Sequence, residues 1–243
     1  MLEEYSKKIE DLKSFEKEDI LTEKFQLYKE GNMAIYYAPH NEIINQEAKI
    51  FIVGITPGWT QTQIAYKTAN EELKRKKDLI EIRKACKRNS RFAGSMRKNL
   101  IEMLNELKLN EKLKMKSCEE LFEEKENLLH TTSLIPYPVF IKEKNYTGHS
   151  PKILEDEVLS SYVSNYFYKE ARSLPKALII PLGKSVEEVL QNMVEKNLLK
   201  EEQILFGFPH PSGANGHRKM QLEENKEILK KRIKDYFLEN DLV

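Results

Sequence analysis

Cysteine is nearly absent from this chain, with 2 in 243 residues. Cys86 and Cys118 are too few for a four-cysteine cluster or an all-cysteine zinc site, and they make no disulfide framework. Glycine and proline are sparse, at 9 each, which excludes collagen-like and low-complexity chains. Long apolar runs are missing too. Ala177 to Leu182 is among the longest, far short of the ~20 residues that span a bilayer. The opening Met1-Leu2-Glu3-Glu4-Tyr5 has neither the basic nor the apolar region of a signal peptide, so the expected setting is the cytoplasm, with no membrane partner. Net charge is only +1 and by itself says nothing about partners. What is present, 40% hydrophobic and 33% charged residues, is the composition of a soluble globular chain long enough to bury a core without staples.

Charge distribution is more informative than net charge. Between Lys74 and Lys98 stand eleven Lys and Arg against only Asp78 and Glu81. Such a segment holds a phosphate backbone or is the solvated face of a helix in a Lys-rich chain, and both readings stay open. The acidic stretch Glu119 to Glu126 reads as a solvated helix face.

Four short, β-rich apolar runs read as strands: Lys49 to Gly54, Leu128 to Leu134, Ala177 to Leu182 and Gln203 to Phe208. Helical spacing fills the intervals, at about 63–87, 95–109, 118–125, 151–170 and 184–197, and closes the chain at 220–238. Two further helices are expected over Leu2 to Phe15 and Asp19 to Glu30. Alternating strand and helix predicts a three-layer α/β/α sandwich around a mostly parallel four-stranded sheet, because each parallel return needs a crossover. With no linker and no internal repeat, one domain over 1–243 is expected: a helical flank at 1–48, a core at 49–218 and a C-terminal helix at 219–243.

Turn chemistry follows each strand. The first runs into Gly54-Ile55-Thr56-Pro57-Gly58-Trp59, the second into Ser133-Leu134-Ile135-Pro136, the third into Gly183-Lys184-Ser185, and the fourth into Pro209-His210-Pro211-Ser212-Gly213-Ala214-Asn215-Gly216-His217-Arg218. In an open parallel sheet such carboxyl ends line one crevice, where ligands bind. Gly183-Lys184-Ser185 is no P-loop, since Leu178 stands where that motif needs glycine; it reads as a helix start. His210, between two prolines, has a nearly fixed backbone. Ser212, Asn215, His217 and Arg218 follow as donors suited to a phosphate or an anionic intermediate. His210 and His217 lack the neighbouring Cys, Asp or Glu that a zinc site requires.

Gly54-Ile55-Thr56-Pro57-Gly58 after the first strand and His210-Pro211-Ser212-Gly213 after the last together resemble the two signature motifs of the uracil-DNA glycosylase superfamily. Thr132-Ser133-Leu134-Ile135-Pro136 and Leu182-Gly183-Lys184-Ser185 fall where that superfamily has its base-reading strand end and its third strand. The resemblance covers roughly Ile50 to Arg218. It implies a four-stranded parallel sheet between helices, no cofactor, and hydrolysis of the bond joining a damaged or modified base to deoxyribose in DNA. Thr56 occupies the position at which the family usually carries Asp or Asn to orient water, and the branch with an acid at the second position is missed because that position is Ile55. Ser133, with Thr132 as the alternative, stands in place of the Asn that reads uracil. Gly58 replaces a tyrosine that blocks groups at C5 of the pyrimidine, which opens the pocket to 5-substituted bases. Two cysteines exclude the iron–sulfur branch, and Ala214 replaces a bulky wedge, leaving His217 or Arg218 to plug the gap.

The implied site has His210 as the catalytic donor to the departing base and Thr56 as the residue that holds water. Gly54, Ile55, Pro57, Gly58 and Ser133 form its base pocket, with Trp59 or Tyr66 to stack on the base. Lys184, Ser185, Ser212, Asn215, His217 and Arg218 contact DNA. With no lysine inside either signature motif, the implied enzyme is monofunctional, and it is expected to be a monomer. The rival expectation is a DNA-binding or regulatory protein that kept the fold without turnover. A third, a phosphoester hydrolase, lacks the acidic cluster for Mg²⁺.

Overall fold

The computed structural model describes residues 1–240. In chain order it begins with helices α1 (Leu2–Glu10) and α2 (Lys17–Ile20), strands β1 (Gln26–Glu30), β2 (Met33–Tyr36) and β3 (Ile50–Gly54), and helices α3 (Trp59–Lys74), α4 (Leu79–Ser90), α5 (Ser95–Glu106) and α6 (Leu109–Lys112). Then come β4 (Leu129–Ser133), β5 (Val139–Ile141), β6 (Lys144–Asn145), α7 (Glu157–Tyr162), α8 (Tyr168–Arg172), β7 (Leu178–Pro181), α9 (Lys184–Glu195) and α10 (Arg218–Glu239). The elements gather into two compact units. One comprises Met1–Ile44, Thr56–Ala93 and Ile135–Ser150, and the other Asn45–Ile55, Gly94–Leu134 and the chain from Pro151 on.

The second unit holds a parallel sheet in the order β4-β3-β7. Every residue of these three strands is buried, which is why β3 and β7 read as near-continuous apolar runs rather than alternating ones. The class is α/β as expected, but the sheet has three strands, not four. The run Gln203 to Phe208 makes a single parallel bridge, Ile204 to Ile179, with Leu205 N–H donating to Ile179 O at 2.9 Å. Pairing stops there because side chains take the backbone groups that a ladder would use. Gly207 turns at φ +90°, its N–H donates to the Glu187 carboxylate, and its carbonyl accepts from Asn225 Nδ2 at 2.9 Å. Helix α9 buries Val186, Val189, Leu190 and Met193 along one face, each contributing about 1.5–3 kcal/mol on removal from water. The expected helix at 151–170 begins only at Glu157, and α7 continues into α8 through a π-turn, Val163–Phe167. Over 118–125 only a 3₁₀ turn, Cys118–Phe122, forms.

The first unit contains an antiparallel sheet, β1-β2-β5-β6, that the strand reading left out. The expected helix over Asp19 to Glu30, and with it the all-helical flank at 1–48, is replaced by α2 and the β1–β2 hairpin. The signal was the Gly31-Asn32 pair between Gln26-Leu27-Tyr28-Lys29-Glu30 and Met33-Ala34-Ile35-Tyr36. The helix expected over 63–87 is two, α3 and α4. Lys76 at φ +56° breaks it, and the Asp78 carboxylate restarts it by accepting from Ile80 N and Glu81 N at 2.9 and 3.0 Å. Helix α10 runs from Arg218 to Glu239; residues 241–243 of the helix expected over 219–243 lie outside the described residues. Among the described residues no helix is long and apolar enough to cross a membrane.

Candidate active site

In the second unit His210 is the most constrained of the expected site residues. Its neighbours Pro209 and Pro211 limit the backbone, and Ser212 N–H donates to its Nδ1 at 3.2 Å. That bond assigns the lone pair to Nδ1 and the proton to Nε2. Burial, which penalises the charged imidazolium, pushes its pKa below the ordinary histidine value. The ring is therefore a neutral imidazole whose free nitrogen is a donor.

Gly183 makes room for that ring. At φ +86° it tolerates no ordinary side chain, and a Cβ there would lie 2.9 Å from His210 Cβ and 3.3 Å from Cδ2. The contribution of Gly183-Lys184-Ser185 to the site is thus the missing side chain of its first residue, next to the start of α9. Other groups hold the loop in place. Asn99 Nδ2, on α5, donates to Pro211 O at 2.8 Å. Asn215 Nδ2 donates to His210 O at 3.1 Å and to Gln221 Oε1 at 2.9 Å, while its Oδ1 accepts from His217 N at 3.3 Å. Glu187 secures the approach: burial raises its carboxyl pKa, and the N–H groups of Gly207 and Phe208 hold that rise back.

The remaining candidates of this unit divide by exposure. Gly54 and Ser133 are buried register partners at the ends of β3 and β4, Leu134 N–H closes on Gly54 O at 2.9 Å, and Ile55 is half-exposed. Lys184 and His217 face solvent, and Ser212 is half-exposed with its Oγ accepting from Ala214 N at 3.1 Å. Two of the expected DNA contacts serve the protein instead. Ser185 is 5% exposed, and Asn215 spends its amide on the loop. Arg218 Nη1 also donates inward, to Asn215 O at 3.2 Å.

A buried polar network beneath β4 went unread in the sequence. His130 Nε2 lies 2.5 Å from Glu170 Oε1, Thr132 Oγ1 donates to Glu170 Oε2 at 3.0 Å, and Asn45 N–H donates to His130 Nδ1 at 3.4 Å. The available signal was His130 and Thr132, two apart and so on one face of a strand that is buried throughout.

In the first unit Thr56 is engaged by the chain itself. Its hydroxyl donates to Tyr137 O at 2.6 Å and accepts from Val139 N at 3.1 Å, so it ties the 56–58 turn to β5. Pro57 is buried and Gly58 half-exposed. Gly58 N–H donates to Gln61 Oε1 at 3.1 Å, and Trp59, also half-exposed, opens α3 with its backbone N–H donating to Asn145 Oδ1 at 3.1 Å. That bond orients the Asn145 amide, and its Nδ2 is the nearest group, at 3.7 Å, to the space a Gly58 side chain would fill. Tyr66 cannot stack on a base. It is 0% exposed, with its hydroxyl on Tyr37 O at 2.8 Å and its ring edge-on to Phe25.

The basic segment is partly internal. Arg83 Nε donates to Glu42 at 2.9 Å and Nη2 to Glu3 at 2.7 Å; Arg75 pairs with Glu72 and Lys77 with Glu81; Lys87 and Arg91 are buried. Among the described residues no three His, Cys, Asp or Glu are grouped to hold a metal ion.

No family model matches the chain, and no solved structure does. Among curated proteins it is similar to the uncharacterized protein YoxB of Bacillus subtilis (strain 168), at 44% identity over 237 residues, which are 97% of this chain and 93% of YoxB. At that identity over nearly its whole length, the chain belongs to the YoxB family.

Proposed function

We propose that this protein is a monofunctional DNA glycosylase that hydrolyses the N-glycosidic bond of a modified pyrimidine flipped out of DNA. The observation that carries the reading is the state of His210: neutral by burial, with Nδ1 occupied by Ser212 N–H and Nε2–H free to donate. As the glycosidic bond breaks, its electron pair leaves with the base, whose oxygen gains negative charge, and the sugar gains positive charge. A donor fixed beforehand at that oxygen favours the transition state by about 3 kcal/mol. A neutral ring does this without losing its own proton. The oxygen of a water molecule then bonds to the sugar carbon and sheds a proton to solvent, leaving an abasic site. The reading includes DNA as partner, no cofactor and a cytoplasmic monomer.

The test is incubation of the full chain with oligonucleotides carrying uracil, hypoxanthine, 5-hydroxymethyluracil or glucosylated 5-hydroxymethylcytosine, followed by alkali. The expected product is an alkali-labile site with no strand break beforehand. Strand cleavage without alkali, or borohydride trapping of a covalent adduct, would overturn the monofunctional mechanism. The engagement of the Thr56 hydroxyl by Tyr137 O and Val139 N favours the second reading, a DNA-binding protein without turnover. A blank across the panel with DNA binding intact would establish it.

A further inference from the structure

The first unit contains a groove of about 570 Å³ lined by Lys17, Lys29, Lys142 and Lys144 together with Glu18 and Glu143. Its floor is apolar, made of Met33, Ala34 and Phe140, which are at most 9% exposed, with half-exposed Tyr36 beside them. The tips of two hairpins meet at its rim, where Lys142 N–H donates to Asn32 O at 2.9 Å. Lys17 lies over two rings, its Nζ 5.8 Å from the centroid of Phe140 and 5.9 Å from that of Trp59, and it donates to the carbonyl of Glu143 at 3.3 Å.

Two features mark the lysines of this groove. Among the described residues none of the four forms an ion pair, although two glutamates share the groove, whereas Arg75, Lys77 and Arg83 are all paired. The β5–β6 loop also keeps Lys142 and Glu143 at φ +48° and +62°, a type I′ turn that Asn-Gly would fill at less strain. Four lysines against two glutamates thus leave a net positive charge around one concave surface.

The ligand follows from the geometry. The four ammonium groups sit on α2, β1, the β5–β6 loop and β6 rather than converging on one point, so they suit an extended polyanion better than a single small anion. Lysine is a hydrated point charge without the fork that reads base edges, which suits phosphates. Half-exposed Trp59 and Tyr36 offer rings for unstacked bases. We infer that this groove binds the phosphodiester backbone of a nucleic-acid strand, with no preference for its base sequence. The inference deepens the DNA partner of the proposed glycosylase and rests on that reading for the choice of polyanion.

The triple variant K29Q/K142Q/K144Q of the full chain, compared with wild type, tests it. The probe is a fluorescent single strand of about 12 nucleotides, titrated between about 50 and 200 mM salt. Removing three phosphate contacts should flatten the slope of log affinity against log salt by about 2, from about 0.7 per contact on a single strand, equally for strands of different sequence. Melting temperatures should match, because the three substituted lysines are exposed. An unchanged slope at an unchanged melting temperature would overturn the inference. So would binding of wild type to phosphatidylserine vesicles with no binding of the oligonucleotide, which would assign the lysines to a membrane. A flattened slope with no base release leaves the groove standing and removes the glycosylase reading; base release with an unchanged slope does the reverse.

Discussion

A histidine with an ordinary pKa is partly charged near neutral pH, and an imidazolium would be a different catalyst from the neutral donor that His210 is held to be. His210→Ala should lower the single-turnover rate of base release by about 10²-fold or more while leaving DNA affinity nearly unchanged. Because burial depresses the pKa of His210 below the ordinary value of 6.5, the wild-type rate should remain on its plateau at pH 6.5 and fall only in more acidic buffer. A rate that already halves at or above pH 6.5 would contradict that assignment. Gly183→Ala places a Cβ 2.9 Å from His210 at φ +86°. The backbone cost is about 1–2 kcal/mol, and the rate should fall toward that of His210→Ala as the ring is displaced. A variant that melts early yet keeps the full rate would show that Gly183 does not position the ring.

Elements in this chain are anchored by carboxylates placed far away in sequence. Helix α1 is held through Glu42, which accepts from Leu2 N at 3.2 Å, Tyr37 OH at 2.7 Å and Arg83 Nε at 2.9 Å. Glu42 and Arg83 are only 10% and 17% exposed, so solvent screens their pairing little. Arg83→Ala should therefore destabilise the fold by about 2 kcal/mol, read as a lower denaturant midpoint, without altering the salt slope of DNA binding. A changed slope with unchanged stability would return Arg83 to the DNA-facing surface. Strand and helix identity was legible wherever burial on both faces wrote an apolar run, as in Ile50-Phe51-Ile52-Val53, or one buried stripe wrote helical spacing, as in Val186-Val189-Leu190-Met193. It was illegible for β1, which has no buried residue and leaves only a turn pair as signal, for β2, which is mostly buried but only four residues long, and for the 203–208 run. There Glu187 and Asn225 settle the outcome by capturing Gly207.

Over the whole molecule, two histidines couple folding to acid. His210 is depressed by burial, and His40 is depressed well below the ordinary value by burial and then by the charge of Lys87. Both are neutral in the fold and titrate near 6.5 once unfolded. Above pH 6.5 neither favours unfolding; below it the unfolded chain takes up protons that the folded chain does not, so stability falls until their folded pKa values are reached. Melting temperature should be flat from about pH 7 to 8 and decline below about 6.5, and the decline should be shallower in His210→Ala. A curve that stays flat through pH 5 would show that these rings take up protons freely in the fold.

The amino-acid sequence by itself determined the α/β class of the chain, three of the four parallel strands expected and the turns that follow them, because apolar runs, proline and glycine act within a few residues of where they stand. Only the tertiary structure decided what those loops are made to do. Gly183 and His210 are 27 positions apart in sequence, yet the absent Cβ of one defines the space of the other. Asn99 reaches Pro211 from another helix, and the hydroxyl of Thr56 closes on Tyr137 and Val139. The four groove lysines came together in the same way, from separate stretches of chain. Partners so distant leave no local pattern, since a hydrogen bond or a steric fit is set by a separation in space that the chain reaches only after its core has closed.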